Sequence, residues 1–339
     1  MEKKELLKAI EQGLLASEMA VKFKMHDLNL YEKINKLENN GYTLHRTYYS
    51  DGQFKYEFGA DNKKNLTREI DIITKPDEKR ISFVCMSDLH LASNQEKRII
   101  VEKAYQHAKD NGIHSIFMAG DILDGKIGPS TTYAKPGEEQ IQEFLGFYPF
   151  DNNIITYGVL GDHDESIYKD DYVDPRKVIT QARHNIVLPS YFNNIFNIKN
   201  SSIVLAHKNS KLRIYPKLGD EKYHLMIKGH AHGFKFESYQ NYSVITLPAA
   251  CKNAINGVTG FVEITLSYNN DCLHKIEGKQ YAVFNGNEVL LGCFSSDING
   301  TKVKHDNIED YNHIIISNPY PYIKNMIDST SLEDLKKDN

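Results

Sequence analysis

Ile81-Ser-Phe-Val-Cys-Met-Ser-Asp-Leu-His90 reads as a buried strand that ends in a carboxylate and an imidazole two residues apart. The apolar run Ile81–Met86 is short and bounded by polar chain, as expected of a strand covered on both faces. Its ending recurs. Gly120-Asp121-Ile-Leu-Asp124 follows the run Ser115–Met118, and Gly161-Asp162-His163-Asp164 follows Asn153–Leu160. His207 follows Ser202–Leu205, and Gly229-His230-Ala-His232 follows Leu225–Ile227. Further runs stand at Asn185–Leu188, Ser243–Leu247, Phe261–Thr265 and Gln280–Phe284. A helical stripe over Gln95–Asp110, stopped by Gly112, lies between the first two strands. Strands alternating with helices predict a layered α/β domain whose sheet turns mixed toward its end.

Any one of these endings is an ordinary turn or cap. Five in succession place carboxylates and imidazoles on loops that leave one edge of a sheet. Together they can hold two divalent ions without a sulfur ligand, and Mn²⁺, Fe²⁺ or Zn²⁺ suits such a set. The four cysteines (Cys85, Cys251, Cys272, Cys293) have no CxxC spacing, so a reducing compartment and no cysteine metal site are expected.

The order D-x-H, G-D-x-x-D, G-D-H-D, a lone His and G-H-x-H resembles the calcineurin-like metallophosphoesterase superfamily across Asp88–His232. The resemblance implies a β-sandwich flanked by helices. It implies a first metal on Asp88, His90 and His232, and a second on Asp162, His207 and His230, with Asp121 bridging the two. His163 would sit over the scissile phosphate as the catalytic acid, with Asp124 accepting a hydrogen bond from it. Two such ions clamp a phosphate and activate water, with Mn²⁺ the expected metal. One position departs: the superfamily carries Asn where this chain has Asp162. Asp adds a negative charge and, when ionised, has no donor to offer substrate. Tighter metal binding and stronger repulsion of phosphate follow. Lys126 and Lys208, on neighbouring loops, are candidate phosphate contacts.

Residues 1–75 read as three short helices and a hairpin. Leu6, Leu7 and Ile10 share a face of the first. Ser17 can cap Glu18–Lys24, and Asn29 with Glu32 has capping-box spacing. Leu30, Ile34 and Leu37 form a stripe that Gly41 ends, and Asp51-Gly52 is a hairpin turn. The segment resembles a winged helix-turn-helix. That likeness implies Tyr31, Lys33, Asn35 and Lys36 on an exposed recognition face, and Arg46 and Lys55 on the wing, in contact with nucleic acid. The expected organisation is therefore a winged-helix (α+β) domain over 1–75, a linker at 76–80, the α/β metallophosphoesterase domain over 81–300, and an extension over 301–339 with no assigned role.

Among 339 residues the formal net charge is −4, so bulk charge does not draw the chain to nucleic acid. No run of 18 apolar residues predicts a transmembrane helix, and the charged N-terminus does not look like a signal peptide. A cytoplasmic location is expected, with a homodimer open. The expected partner is a phosphodiester substrate, DNA or nucleotide, delivered by the N-terminal segment. Two alternatives remain: a small-molecule phosphatase or cyclic-nucleotide phosphodiesterase with a dimerising N-terminal domain, and a DNA-binding regulator with a low-activity metal domain.

Overall fold

The computed structural model describes residues 3–59, 69–127, 135–208, 223–239, 242–252 and 254–298. The expected extension over 301–339 lies outside them. The chain opens with α1 (Lys3–Glu11), α2 (Ala16–Lys22) and α3 (Asp27–Asn39). The hairpin β1 (Leu44–Tyr49) and β2 (Phe54–Phe58) follows, then β3 (Glu69–Ile73). Alternation then sets in: β4 (Arg80–Met86), α4 (Arg98–Asp110), β5 (Ser115–Ala119), α5 (Gly137–Phe147) and β6 (Ile155–Val159). Next come α6 (Asp162–Asp171), α7 (Pro175–Ala182), β7 (Ile186–Val187), β8 (Asn193–Ile198) and β9 (Ser201–Ala206). The remainder is strands: β10 (Tyr223–Lys228), β11 (Lys235–Ser238), β12 (Ser243–Thr246), β13 (Gly260–Asn269), β14 (Cys272–Phe284) and β15 (Asn287–Asp297).

These strands form two mixed sheets. One has the order β15-β14-β13-β4-β5-β6-β7, the other β11-β12-β10-β9-β8-β3-β1-β2. β4, β5 and β6 run parallel in the first, and β9, β10 and β12 run parallel in the second. Phe83, Phe117, Tyr157 and Phe196 are fully buried and stack between the sheets, with ring centroids 4.8–5.5 Å apart. Burying side chains of this size is the main favourable term in such a core. Helices α4 to α7 cover the outer face of the first sheet through Ile100, Phe144, Ile167 and Ile179. The α/β sandwich flanked by helices is therefore observed.

The expected domain boundary is not. β3 straddles it, pairing with β1 on one side and with β8 on the other. Arg80, placed in the linker by sequence, opens β4. The Tyr48 ring of β1 meets Tyr157 edge-on at 5.9 Å, and one core cluster contains both Leu30 and Phe117. The N-terminal hairpin therefore extends the sandwich instead of forming a separate wing. Its helices begin slightly earlier than their sequence caps suggest. His26, not Asn29, caps α3, accepting from Leu28 N–H, and Glu18 reaches back to Leu15 N–H at the start of α2.

The face of α3 expected to meet nucleic acid is covered at Tyr31 and engaged at Asn35. Tyr31 is 2% exposed and stacks on His184 at 4.5 Å. Asn35 donates to the Gln181 carbonyl at 2.7 Å, and its Oδ1 lies 3.0 Å from His184 Nε2. Tyr56 Oη approaches the other nitrogen, Nδ1, at 2.7 Å. Burial, then the nearby Arg46, pushes the His184 pKa down to about 2, so the ring is neutral at pH 7. Arg46 pairs with Glu38 and Lys55 with Glu57, while Lys33 and Lys36 stay at the surface. Tyr31 and Asn35 are thus corrected from nucleic-acid contacts to docking residues. An aromatic at that helical position proved to be core.

Candidate metal centre

All five motifs arrive at one edge of the sandwich, because parallel strands present their C-terminal ends on the same side. β4 delivers Asp88 and His90, β5 delivers Asp121 and Asp124, and β6 delivers Asp162 and His163. From the opposite sheet, β9 delivers His207 and β10 delivers His230 and His232. The ligand atoms of Asp121, Asp162, His207 and His230 all lie within 4.8 Å of one another. So do those of His90, Asp121 and His163. His232 Nε2 is 3.4 Å from Asp88 Oδ1, and His90 Nε2 is 3.9 Å from Asp121 Oδ2. The expected seven ligands therefore converge.

The glycines preceding the acids make this approach possible. A Cβ on Gly161 would fall 2.0 Å from Asp121 Oδ1. At Gly120, φ is +86° and a Cβ would strike the His207 ring. Five ligands themselves have left-handed backbone: Asp88 (φ 54°), His90 (44°), Asp121 (50°), His230 (69°) and His232 (55°). Each costs about 1 kcal/mol or more in an L-residue, and such strain concentrates where geometry serves a site.

His207 shows the character of the cluster. Its Nδ1 donates to the Ala119 carbonyl at 2.7 Å, which aims Nε2 into the site. That Nε2 lies 3.0 Å from Asp121 Oδ2 and 3.2 Å from Asp162 Oδ1. Yet His207 Nε2, Asp162 Oδ1 and His90 Nε2 are buried without hydrogen-bond geometry to any partner among the described residues. Buried polar atoms are normally satisfied. Atoms that crowd together without hydrogen bonding, in a set of imidazoles and carboxylates, fit ligands of divalent cations. Burial pulls His207 down, but Asp121 and Asp162 outweigh it and push its pKa up to about 11. The Asp162 carboxyl is held far below the usual range by His207 first, with Lys208 contributing.

Three expectations about individual side chains change. His163 Nδ1 meets the Asp124 backbone carbonyl at 2.5 Å, whereas the Asp124 carboxylate faces His90 Nδ1 at 3.4 Å. The His163 tautomer is set by main chain. Lys126 is tied to Asp171, which anchors its loop to α6 and removes it as a phosphate contact. Lys208 Nζ sits 3.2 Å from Asp162 Oδ2. The charge added by the Asn-to-Asp departure is therefore countered by the residue next to His207.

Two participants escaped the sequence reading. Asp164, fully buried, accepts from Gly161 N–H (2.8 Å), Leu123 N–H (2.8 Å) and Ile122 N–H (3.2 Å), locking the second and third motif loops together. An acid at the third position of α6 is the signal that could have found it. Cys251, after β12, lies with His90 and His232 in a third group of ligand atoms within 4.8 Å of one another. Spacing alone could not show it, since Cys251 reaches the site from a strand beyond all five motifs.

No protein-family model and no curated protein matches this sequence. Similar folds occur among solved structures. Vacuolar Protein Sorting 29 from Cryptosporidium parvum is 12% identical with a TM-score of 0.42, over 66% of this chain and 100% of that one. A zinc complex of Vps29 from Entamoeba histolytica is 14% identical with a TM-score of 0.38, over 65% and 100%. A structure described as a novel archaeal phosphodiesterase is 16% identical with a TM-score of 0.39, over 62% and 99%. Identity and superposition this low leave the site to be judged on its own residues.

Proposed function

We propose that this protein is a dinuclear metal-dependent phosphoesterase that cleaves phosphodiester bonds. The observation that carries the reading is the convergence of four imidazoles and three carboxylates, several unsatisfied, beside a fifth imidazole whose orientation is fixed separately. Asp88, His90 and His232 would hold one ion, Asp162, His207 and His230 the other, and Asp121 both. When bound, such a pair supplies Lewis-acid stabilisation of phosphoryl charge and a nucleophile at neutral pH.

The chain's own residues supply the rest. A carbonyl only accepts, so His163 Nδ1 donates to Asp124 and Nε2 is the nitrogen free to exchange a proton. As imidazolium, His163 gives that proton to the departing alkoxide. Asp164 clamps the loops on which His163 and Asp121 sit. Lys208 places an ammonium beside Asp162 and offsets its repulsion of an anionic substrate.

The docking of Tyr31 and Asn35 against His184 and Gln181 weakens the support for delivery to DNA as a nuclease. It favours the alternative of a nucleotide or other small phosphodiester, recognised by loops around the centre. The test is a panel of bis-p-nitrophenyl phosphate, cyclic nucleotides and DNA with Mn²⁺, Fe²⁺ or Zn²⁺. Small diesters should be hydrolysed, and His163→Ala should retain metal while losing about 10²–10⁴-fold in turnover. Absence of turnover on every substrate with every metal would refute the assignment.

A further inference from the structure

Cys251 is fully buried, and its backbone is laced into the loop that carries the first metal position. Ala250 N–H donates to the Ser87 carbonyl at 2.9 Å, one residue from Asp88. Cys251 forms a β-bridge with Glu96, and Lys252 N–H donates to the Gln95 carbonyl at 2.7 Å. A little further on, Ile255 N–H donates to the carbonyl of His232 itself at 2.7 Å. Two of these contacts tie the Cys251 segment beside Asp88 and onto His232, and the other two tie it to the loop that follows His90. The side chain follows: its sulfur lies within 4.8 Å of ligand nitrogens of His90 and His232, which lie as close to each other. His90 is 5% exposed, and its Nε2 is buried with no hydrogen-bond partner among the described residues. A buried, unpartnered imidazole nitrogen beside a buried thiol is what a shared cation would satisfy.

We propose that Cys251 is a ligand of the first metal position, giving it a sulfur donor beside Asp88, His90 and His232 and selecting zinc over manganese there. The proposal rests on the metal-centre reading above and deepens it. On binding, the thiol S–H proton leaves to solvent and a sulfur–metal bond forms, with no change of oxidation state. Thiolate is a soft donor that suits zinc, whereas manganese favours oxygen. The two halves of the centre then differ in kind. Carboxylates and imidazoles hold the second ion, and a mixed sulfur, nitrogen and oxygen set holds the first.

The experiment is zinc X-ray absorption on the full chain carrying Cys272→Ser and Cys293→Ser, which removes the two exposed thiols. Loaded with two zinc ions per chain, it should show a sulfur scatterer at about 2.3 Å, about one for every two zinc ions. Adding Cys251→Ser should abolish that scatterer and lower the preference for zinc over manganese, measured by competition, at least tenfold. Zinc bound only through nitrogen and oxygen at about 2.0–2.2 Å would overturn the proposal and leave the metal centre standing. A chain that holds Mn²⁺ but no zinc would likewise overturn the proposal alone, and one that holds none of Mn²⁺, Fe²⁺ and Zn²⁺ would overturn both. The measurement on the chain that keeps Cys251 decides the matter even if Cys251→Ser folds poorly.

Discussion

Replacing His184 with Ala tests whether the N-terminal helices and the sandwich are one body. The ring is fully buried and touches three N-terminal side chains. Tyr31 stacks on it at 4.5 Å, Tyr56 Oη is 2.7 Å from Nδ1, and Asn35 Oδ1 is 3.0 Å from Nε2. Truncation orphans the buried Tyr56 hydroxyl, at about 1–3 kcal/mol, and the half-buried Asn35 side-chain carbonyl, at about 1 kcal/mol. It also forfeits a ring pair worth about 0.5–1.5 kcal/mol. These effects overlap, since all three partners share one cavity, so a net loss of about 4 kcal/mol is expected. The assay is urea unfolding followed by far-UV circular dichroism and tyrosine fluorescence, the chain having no tryptophan. With an m-value of about 3 kcal/mol/M, the midpoint should fall by more than about 1 M. Both probes should keep a single coincident transition. The reasoning is refuted if the midpoint does not move. It is equally refuted if the mutant loses only its N-terminal helices in a separate early step while the sandwich unfolds as before.

Two further outcomes follow from electrostatics. Asp162→Asn removes the charge that Lys208 faces at 3.2 Å. Metal affinity at the second position should fall about tenfold, or about 1.4 kcal/mol, while inhibition by inorganic phosphate tightens. Equilibrium dialysis against a chelator reads the first effect, and unchanged affinity would contradict it. The second outcome concerns His107 of α4, which lies 3.0 Å from both Glu263 and Glu288. Burial pulls His107 down, but the two carboxylates outweigh it and hold its pKa above 6.5, while His107 and then Lys279 hold Glu263 at about 2. The raised histidine stabilises fully below its unfolded value of 6.5 and loses that as pH climbs through its folded value. The lowered glutamate stabilises above 4.5 and loses that as pH falls toward 2. The stability gap between wild type and His107→Gln should therefore peak, at about 3 kcal/mol, between pH 4.5 and 6.5 and shrink toward pH 9. A gap that is flat across thermal melts from pH 5 to 9 would contradict this.

The sandwich was legible because its central strands are short apolar runs with distinctive endings, and each such run from Ile81 to Leu247 is a strand. Less regular elements were not. β8, Asn193-Asn-Ile-Phe-Asn-Ile198, mixes polar and apolar side chains without a clean period, and β15 is largely half-buried at a sheet edge. Helix α6 gave no clear stripe because the Gly161-Asp162-His163-Asp164 motif itself opens it. The ligand set could be read because the five motifs are local. Cys251 and the Lys208–Asp162 pair could not, since both depend on which loops the fold brings together. The winged-helix reading had the right order of elements. It missed that a helix face bearing Tyr31 and Asn35 serves a neighbouring helix as well as it would serve a groove.

The continuous sheet also constrains how the chain comes off the ribosome. The three helices emerge well before the surface they dock on. β3 pairs with β8, as in the Asp71–Asn197 contact across 126 residues. At ordinary synthesis rates that gap lasts roughly 6–25 s. For that interval the aromatic face of Tyr31, buried against His184 in the finished protein, has no platform. The segment that looks most like a self-sufficient module thus has an edge strand whose partner, β8, is made more than a hundred residues later.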